Sequence, residues 1–254
     1  LDAINWVYRL PSSSSSKKIT MSVSIRIGSK NIGSESPCFI IAEGCDNHLG
    51  DLGVAREMCR QAKLAGADAI KFQHHLPDEE MLPDAPTSDN FQEPLYEFLK
   101  KYALKLDGHH KLMAYCLEIG IQYMCTPFSY KAAEEMVGLG LDAIKIGSGE
   151  MTDIPSLVKM ATTFHLPMIV STGMSTSAEI QAAIDVLTSH GASLDDICVL
   201  HCNTDYPTPL QDVNLRTMPT FGATFGTAYG YSDHTLGHTV AIAAVALGAK
   251  VLEK

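Results

Sequence analysis

Short apolar runs alternate with longer amphipathic segments along almost the whole chain. Eight runs of four or five residues recur, the first at 38–42 and the last at 249–253. The segment at 51–65 has helical spacing, and its predicted apolar face consists of Leu52, Ala55, Met58, Cys59, Ala62 and Ala65. Alternating strands and helices with near-continuous apolar strands indicate a parallel sheet covered on both faces.

The predicted elements follow one another in β–α order. Strands are expected at 38–42, 68–72, 121–125, 142–146, 167–170, 197–200, 227–231 and 249–253. Helices are expected at 51–65, 107–119, 130–138, 155–163, 176–190, 212–224 (weakly marked) and 237–247. A Pro- and Asp-rich excursion at 74–98 is expected to be a functional loop. Eight units predict an α/β fold, a (β/α)8 TIM barrel truncated after its eighth strand, with an open doubly wound sheet as the alternative.

The N-terminal region has two parts. Residues 1–20 contain a serine run followed by two lysines and are expected to be a flexible, tag-like leader, with the barrel domain at 21–254. Segment 22–32 alternates apolar and polar residues around Gly28-Ser29, which predicts a short β-hairpin able to plug the bottom of the barrel.

Composition limits the partners. The 254 residues carry a net charge of −10, which argues against nucleic acid or an anionic membrane surface as a partner. No apolar stretch approaches the ~20 residues that span a bilayer. The seven cysteines show no CxxC pair, which favours a reducing cytoplasm.

Most apolar runs end at a polar residue suited to chemistry. In a parallel barrel, catalytic groups lie where strands end, all on one face. The residues at or just beyond these ends are Glu43, Lys71, Gln73, Thr126, Lys145, Ser148, Ser171, His201, Ser232 and His234. Asp51, by contrast, is expected to cap the helix that follows it.

Two strand ends carry lysines. A buried ammonium group needs an anionic partner, and for Lys71 and Lys145 a phosphate or carboxylate ligand would supply one. Ser148 and glycine-exposed N–H groups would complete that site, and Ser171 opens a predicted helix whose N-terminus attracts anions. The alternative is an internal salt bridge, for instance of Lys71 with Glu43 or Glu150.

Two histidines follow strands. In Ser232-Asp233-His234, the aspartate is expected to orient the imidazole. His201 is more simply interpreted as a core residue. No HxH or HExxH pattern points to a metal.

Several segments, taken in order, resemble one enzyme family. The chain is similar to the sialic acid (N-acetylneuraminate) and related nonulosonic-acid synthases from about Phe39 to Lys254. The segments are AEGCDNHLGD, AGADAIKFQ, CTPFS, DAIKIGSGE, VSTGMST, HCNTDYPTPLQDVNLR and GYSDHTLG. The resemblance implies a (β/α)8 barrel that condenses phosphoenolpyruvate with N-acetylmannosamine or a related acylated amino sugar, using Mn²⁺ or Mg²⁺ and releasing phosphate.

The resemblance also implies residue roles. Glu43 matches the catalytic carboxylate, and His234 matches one of two metal-binding histidines. The positions that hold phosphoenolpyruvate are Lys71, Thr126, Lys145, Ser148, Ser171 and Ser232. The sugar-facing positions are Gln73, Asn90 and Tyr206.

The chain departs from the family pattern at two places. Gly44-Cys45-Asp46 replaces the usual Ile-Gly-Ile after the catalytic glutamate. The second metal-binding histidine would follow Lys254, as would the eighth helix, a sugar-binding aspartate and an antifreeze-like domain of the homodimeric parent protein. Without that second histidine, a chain ending at Lys254 is expected to bind metal poorly.

Alternatives remain at this point. The product could be N-acetylneuraminate, diacetyllegionaminate or pseudaminate. A Schiff-base aldolase using Lys145, or a barrel that binds phosphoenolpyruvate without turnover, would share the same anion site.

Overall fold

The computed structural model describes residues 24–86 and 93–254. The expected leader at 1–20 and the predicted sugar-facing Asn90 lie outside the described residues. Within the described ranges, no helix is both long enough and apolar enough to cross a membrane.

The strands and helices alternate as the sequence predicts. The strands are β1 (Ser24–Ile27), β2 (Lys30–Gly33), β3 (Phe39–Cys45), β4 (Ala69–His74), β5 (Gln122–Pro127), β6 (Ile144–Ile146), β7 (Met168–Ser171), β8 (Ile197–Cys202), β9 (Ala228–Ser232) and β10 (Val251–Glu253). The helices are α1 (Leu52–Leu64), α2 (Pro77–Glu80), α3 (Leu95–Tyr102), α4 (Leu106–Ile119), α5 (Tyr130–Gly138), α6 (Ile154–Thr163), α7 (Ser177–Ser189), α8 (Thr217–Phe225) and α9 (Thr239–Ala246).

Strands β3 to β10 form one parallel sheet that curls into a nearly closed barrel. Its order is β5-β4-β3-β10-β9-β8-β7-β6, so the first and last of these strands in sequence pair with each other, Phe39 opposite Val251. The two ends of the order, β5 and β6, lie side by side and contact each other. The predicted TIM barrel is therefore confirmed, and the open doubly wound alternative is wrong.

The predicted hairpin covers the bottom of the barrel. Strands β1 and β2 pair antiparallel around Gly28-Ser29. Ile25, Ile27 and Ile32 are fully buried against the first residues of the barrel strands, including Phe39 and Val251. This apolar cluster closes the end of the barrel opposite the strand ends that carry polar residues.

The excursion predicted as a functional loop at 74–98 contains helical segments, and its residues 87–92 lie outside the described residues. It contains α2, where Pro77 occupies the first turn and is followed by three acidic residues, an arrangement that suits a helix N-terminus. It also contains the start of α3, which buries Tyr96 and Leu99. The apolar face of α1 is also narrower than predicted, because Ala65 is the exposed C-cap residue.

Candidate active site at the carboxyl ends of the strands

The polar strand ends meet at one mouth of the barrel. Lys71 on β4 and Lys145 on β6 are only 3% and 2% exposed. Thr126, Ser171 and Ser232 are also buried, at the ends of β5, β7 and β9. The sequence therefore identified a set of strand ends that the fold brings together.

Lys71 lies between two carboxylates and a hydroxyl group. Its Nζ is 2.8 Å from Glu43 Oε1 and 3.9 Å from Glu253 Oε2, and it donates to Thr126 Oγ1 at 2.7 Å. Burial would lower the pKa of Lys71, but Glu253 and Glu43 raise it well above its ordinary value. The internal salt bridge considered from the sequence is thus present, with Glu43 rather than Glu150 as the partner.

Lys145 occupies the other side of the same cluster. Its Nζ donates to Ser171 Oγ at 2.8 Å and to Ile146 O at 3.0 Å, and it lies 3.7 Å from Glu253 Oε1. Ser232 donates to that same carboxylate oxygen at 3.0 Å. Glu253 therefore links the two lysines, a role that its sequence context did not predict.

The two glutamates have opposite pKa shifts. Burial, reinforced by Glu253, raises the pKa of Glu43 against the opposing effect of Lys71. Burial also acts to raise the pKa of Glu253, but Lys145 and Lys71 overcome it and hold the pKa below the ordinary carboxyl value. Carboxyl groups whose environments separate their pKa values are suited to different roles, one exchanging protons and one staying ionised.

Ser148 lies in the loop after β6, beside the turn after β7. Its Oγ accepts from Gly173 N at 3.0 Å and donates to Cys202 Sγ at 3.7 Å. A Cβ on Gly173 would approach within 2.5 Å of Thr204 and 2.9 Å of Ser148 Oγ, so this turn needs a glycine. The helix predicted at 176–190 is α7, which begins at Ser177 with Thr176 and Glu179 forming a capping box, so Ser171 lies at the end of β7 and five residues before the N-cap.

His234 is oriented by a backbone carbonyl. Its Nδ1 lies 2.6 Å from Asn203 O, which fixes Nδ1 as the donor and leaves Nε2, 3.4 Å from Ser232 Oγ, available as a ligand. The expectation that Asp233 orients this imidazole is wrong. Asp233 instead accepts hydrogen bonds from Thr235 and from Lys254 Nζ, the latter at 2.8 Å.

The described residues fit a metal ion only in part. Because Nδ1 donates to Asn203 O, the neutral imidazole of His234 has an unprotonated Nε2 that could bind a metal ion. The described residues contain no group of three His, Cys, Asp or Glu side chains able to hold an ion. They provide one ligand rather than a complete site. The structure also packs His201 among Phe221 and Tyr231, with Nε2 2.8 Å from Val213 O, in agreement with its interpretation as a core residue.

A second polar cluster lies beside the first. His75 Nε2 is 3.1 Å from Asp46 Oδ2 and 3.2 Å from Gln73 Oε1, while Nδ1 is 2.9 Å from Glu80 Oε1. Burial opposes the charge on His75, but the two carboxylates raise its pKa to about 9. An imidazolium donates from both nitrogens, so His75 holds Gln73 through its amide oxygen and leaves the amide NH₂ to face a ligand.

The remaining sugar-facing prediction, Tyr206, lies on the rim. It is 62% exposed, and its ring centroid is 4.1 Å from that of His234.

Cys45 was not predicted at all. It has a left-handed φ of 46° and lies with Sγ 3.2 Å from Glu43 Oε2. Two sequence features could have pointed to these residues. Cys45 lies in Gly44-Cys45-Asp46, which replaces the usual Ile-Gly-Ile of the family, and Glu253 lies at the end of the eighth predicted strand.

Comparison with known proteins decides the family. The model of the NeuB family matches residues 58–254. This chain belongs to the NeuB family. The resemblance drawn from its motifs is confirmed at that level.

Individual NeuB relatives agree with this assignment. The chain is 41% identical to an N,N'-diacetyllegionaminic acid synthase of Legionella pneumophila, covering 89% of this chain and 66% of that protein. It is 34% identical to the human N-acetylneuraminate-9-phosphate synthase, covering 88% and 63% respectively. A sialic acid synthetase structure from Leptospira borgpetersenii, in complex with citrate, superposes with a TM-score of 0.80 at 30% identity, over 92% of this chain and 78% of that one. The chain spans slightly less than two thirds of the length of the curated relatives it matches.

Proposed function

We propose that this NeuB chain is the barrel of a synthase that condenses phosphoenolpyruvate with an acylated amino sugar and releases phosphate. The observation that best supports the proposal is the pair of buried lysines flanked by two glutamates with opposite pKa shifts. A site that binds a multiply charged anion and also exchanges protons needs both features.

The anionic substrate would bind across the mouth of the barrel. Lys71 and Lys145 would offset the charges of its phosphate and carboxylate groups. The hydroxyl groups of Thr126 and Ser171 accept hydrogen bonds from the two ammonium groups, and Ser232 donates to Glu253, which lies between them. These hydroxyl groups and that of Ser148, which accepts from Gly173 N, would complete the hydrogen bonds to the substrate. Displacing part of the Lys71–Glu43 ion pair on binding would leave Glu43 free to take up a proton.

The chemical step joins two carbons. C3 of the enol phosphate forms a bond to the aldehyde carbon of the open-chain sugar, and the aldehyde oxygen gains a proton. The electron pair of the C2=C3 double bond forms this new bond, which leaves C2 electron-deficient. Water adds to C2 and gives up one proton, which balances the proton gained by the aldehyde oxygen. The C2 hydroxyl group then becomes the keto group: it gives its proton to the leaving phosphate as the bond from C2 to the phosphate oxygen breaks. Glu43, half-buried and with a raised pKa, is the group we assign to proton transfer at that water.

The sugar would lie on the side of β4 and the loop after β8. Gln73 would donate from its amide NH₂, and Tyr206 would pack against the sugar beside His234. We assign Asn90 to the same substrate from its motif position. We also propose that Mn²⁺ or Mg²⁺ binds with His234 as one ligand; no step above depends on it.

Phosphate release measured on the full-length protein tests this proposal. We expect release from phosphoenolpyruvate only when an acylated amino sugar is present, and its loss in Glu43→Gln. The control Glu134→Gln alters an exposed carboxylate paired with Lys131 on α5 and should keep full activity. Sugar-independent release would contradict the proposal. Phosphoenolpyruvate binding seen by calorimetry without any turnover would instead support a purely binding role.

The Schiff-base alternative has less support. Lys145 Nζ donates hydrogen bonds to Ile146 O and Ser171 Oγ, and the carboxylate oxygen Glu253 Oε1 lies 3.7 Å away. These contacts suit a donating ammonium group rather than a nucleophilic amine. Borohydride trapping of substrate on Lys145 would favour the aldolase; we expect none.

A further inference from the structure

Cys45, at the end of β3, has a backbone conformation that residues other than glycine rarely adopt. Its φ is 46°, in the left-handed region where a Cβ is sterically disfavoured. Glycine would take this φ without strain, and the usual family pattern has a glycine at this place. A strained cysteine where a glycine would suffice points to a use for its side chain.

A bulge in β3 places this cysteine next to Glu43. In the pairing with β4, Glu43 lies opposite Lys71 and Cys45 lies opposite Phe72, so Gly44 is the extra residue. A Cβ on Gly44 would come within 2.7 Å of Phe72 Cε1, so the bulge has no room for a side chain there. Bulges redirect the side chains of the strand that carries them. Here the result is a distance of 3.2 Å between Cys45 Sγ and Glu43 Oε2.

The two oxygen atoms of the Glu43 carboxylate have different partners. Lys71 Nζ lies 2.8 Å from Oε1, and Cys45 Sγ donates to Oε2. Among the described residues, Cys45 is the only hydrogen-bond donor to Oε2. The thiol therefore fixes the orientation of this carboxylate on the side that Lys71 does not reach.

The surroundings keep the Cys45 thiol protonated. Burial and the charge of Glu43 raise the pKa of Cys45 well above the ordinary cysteine value, against the opposing effect of Lys71. Reactive cysteines have a lowered pKa instead, because the thiolate is the nucleophile. A protonated thiol is a weak hydrogen-bond donor, and a charged acceptor strengthens its bond. Cys45 is thus suited to donate to a carboxylate and unsuited to attack a substrate.

We infer that Cys45 is a positioning residue, whose thiol holds Glu43 Oε2 and orients the carboxylate for proton transfer. In the proposed reaction, Lys71 turns part of its charge to the substrate, and the hydrogen bond from Cys45 then remains to hold Glu43. Because a thiol is a weak donor, it orients the carboxylate with little loss of basicity. This inference rests on the proposed function, in which Glu43 transfers the proton.

Infrared spectroscopy of the full-length protein tests the hydrogen bond without any turnover. The S–H stretching band of Cys45 is obtained as the difference between wild-type and Cys45→Ala spectra, with Cys45→Gly as a second reference. A hydrogen bond weakens the S–H bond, so we expect this band at a lower frequency than that of a free thiol. It should move to higher frequency in Glu43→Gln, because a neutral amide is a weaker acceptor than a carboxylate. A band at the free-thiol frequency in both backgrounds would overturn the inference.

Steady-state kinetics test the positioning role. In Cys45→Ala, we expect kcat for sugar-dependent phosphate release to fall about three- to tenfold, as the loss of one hydrogen bond predicts. The KM for phosphoenolpyruvate should change less than twofold, because the lost bond acts on Glu43 and leaves both lysines in place.

The pH profile provides a readout that a purely structural role would not move. A hydrogen bond to the ionised carboxylate lowers the pKa of Glu43, so the alanine variant should raise that pKa and shift the acidic limb of kcat to higher pH. The other charged groups acting on Glu43 are Lys71 on β4 and Glu253 on β10, and the variant keeps both. Cys125 on β5 and Tyr206 are also close to Glu43, and the raised pKa of each keeps it neutral.

Three further variants separate the hydrogen bond from backbone strain. Cys45→Gly relieves the left-handed strain but has no donor, so it should resist urea better than Cys45→Ala and share its kcat and pH profile. Cys45→Ser keeps a donor and should recover most of the wild-type kcat. The control Cys38→Ala alters another half-buried cysteine, just before β3 at the bottom of the barrel, and should keep the wild-type kinetics. Wild-type kinetics in Cys45→Gly would assign the effect to strain and contradict the inference.

The outcomes separate the two proposals. If the wild-type protein releases no phosphate with any acylated amino sugar, the proposed function fails, and the infrared band still decides whether Cys45 holds Glu43. If the wild-type protein is active and Cys45→Ala has the same kcat and pH profile, the proposed function holds and the positioning role is wrong.

Discussion

The two ends of this barrel are built from the same strands but have opposite chemistry. At the bottom, Ile25, Ile27 and Ile32 of the hairpin are fully buried among apolar strand residues. At the mouth, the same barrel buries Lys71 and Lys145 beside two glutamates. Full burial of an aliphatic side chain stabilises the fold by about 1.5–3 kcal/mol, whereas a buried ion pair contributes little net stability after desolvation. The apolar cluster at the bottom of the barrel therefore contributes mainly to the stability of the fold, and the charged residues at the mouth serve the proposed chemistry.

The largest expected effect is at the mouth and concerns activity. Lys71→Met removes an ammonium group proposed to offset substrate charge, and we expect kcat/KM for phosphate release to fall about a hundred- to a thousandfold. Lys63→Met, at an exposed lysine on α1 that binds Gly120 O, is the control and should keep activity. Full activity in Lys71→Met would contradict the assignment of the chemistry to the mouth of the barrel.

At the bottom, the largest effect should be on stability. Ile27→Ala leaves a cavity in the apolar cluster, and the free energy of unfolding should fall by about 2–5 kcal/mol in urea titrations. The matched change Ile242→Ala, at a residue 62% exposed on α9, should cost under about 0.5 kcal/mol. If Ile27→Ala lost activity without losing stability, the bottom would have a functional role that the comparison denies.

Within the mouth of the barrel, the two glutamates should affect the stability of the fold at neutral pH in opposite directions. Glu43 has a raised pKa, so the stability that it contributes is present at low pH and is lost as pH rises through that pKa. Removing its ionisable group in Glu43→Gln should therefore stabilise the fold at neutral pH. Glu253 has a lowered pKa and contributes stability above the ordinary carboxyl pKa, so Glu253→Gln should destabilise by about 1–3 kcal/mol at neutral pH. Urea unfolding at pH 7 and pH 4 measures both, and a shift of the same sign in both variants at pH 7 would refute this division.

The smallest effect concerns a helix cap near the mouth. Asp51 accepts from Gly53 N at 2.7 Å and Val54 N at 3.1 Å, as its sequence position predicted. Asp51→Ala should lower the free energy of unfolding by about 1 kcal/mol and leave kcat/KM unchanged. A large loss of activity would show that the polar turn after β3 takes part in the chemistry.

The barrel and most of its strand ends could be predicted because both depend on local pattern. Apolar runs give the strands, and the last polar residue of each run gives Lys71, Lys145 and the serines. The partners of these groups could not be predicted in the same way. Glu253 meets Lys71 and Lys145 only because β10 closes the barrel, and the sequence places these residues on three separate strands.

The second polar cluster escaped prediction for a related reason. His75 forms ion pairs with Asp46, in the turn after β3, and with Glu80, in α2. Helix α2 lies in a segment whose prolines and aspartates predicted a loop. Asp233 shows the converse error, because adjacency in sequence suggested a contact with His234 that the turn geometry redirects to Thr235.

The pairing of β3 with β10 also determines when the site can exist during folding. Glu43 lies on the first strand of the barrel and Glu253 on the eighth, and their strands meet only when the sheet closes. Contacts between distant parts of a chain form slowly, and domains fold as the ribosome releases them. While β10 is still inside the ribosome, Lys71 can meet Glu43 but not Glu253. A nascent barrel would therefore carry an exposed, unpaired strand edge, and its charged centre would be complete only once β10 has paired with β3.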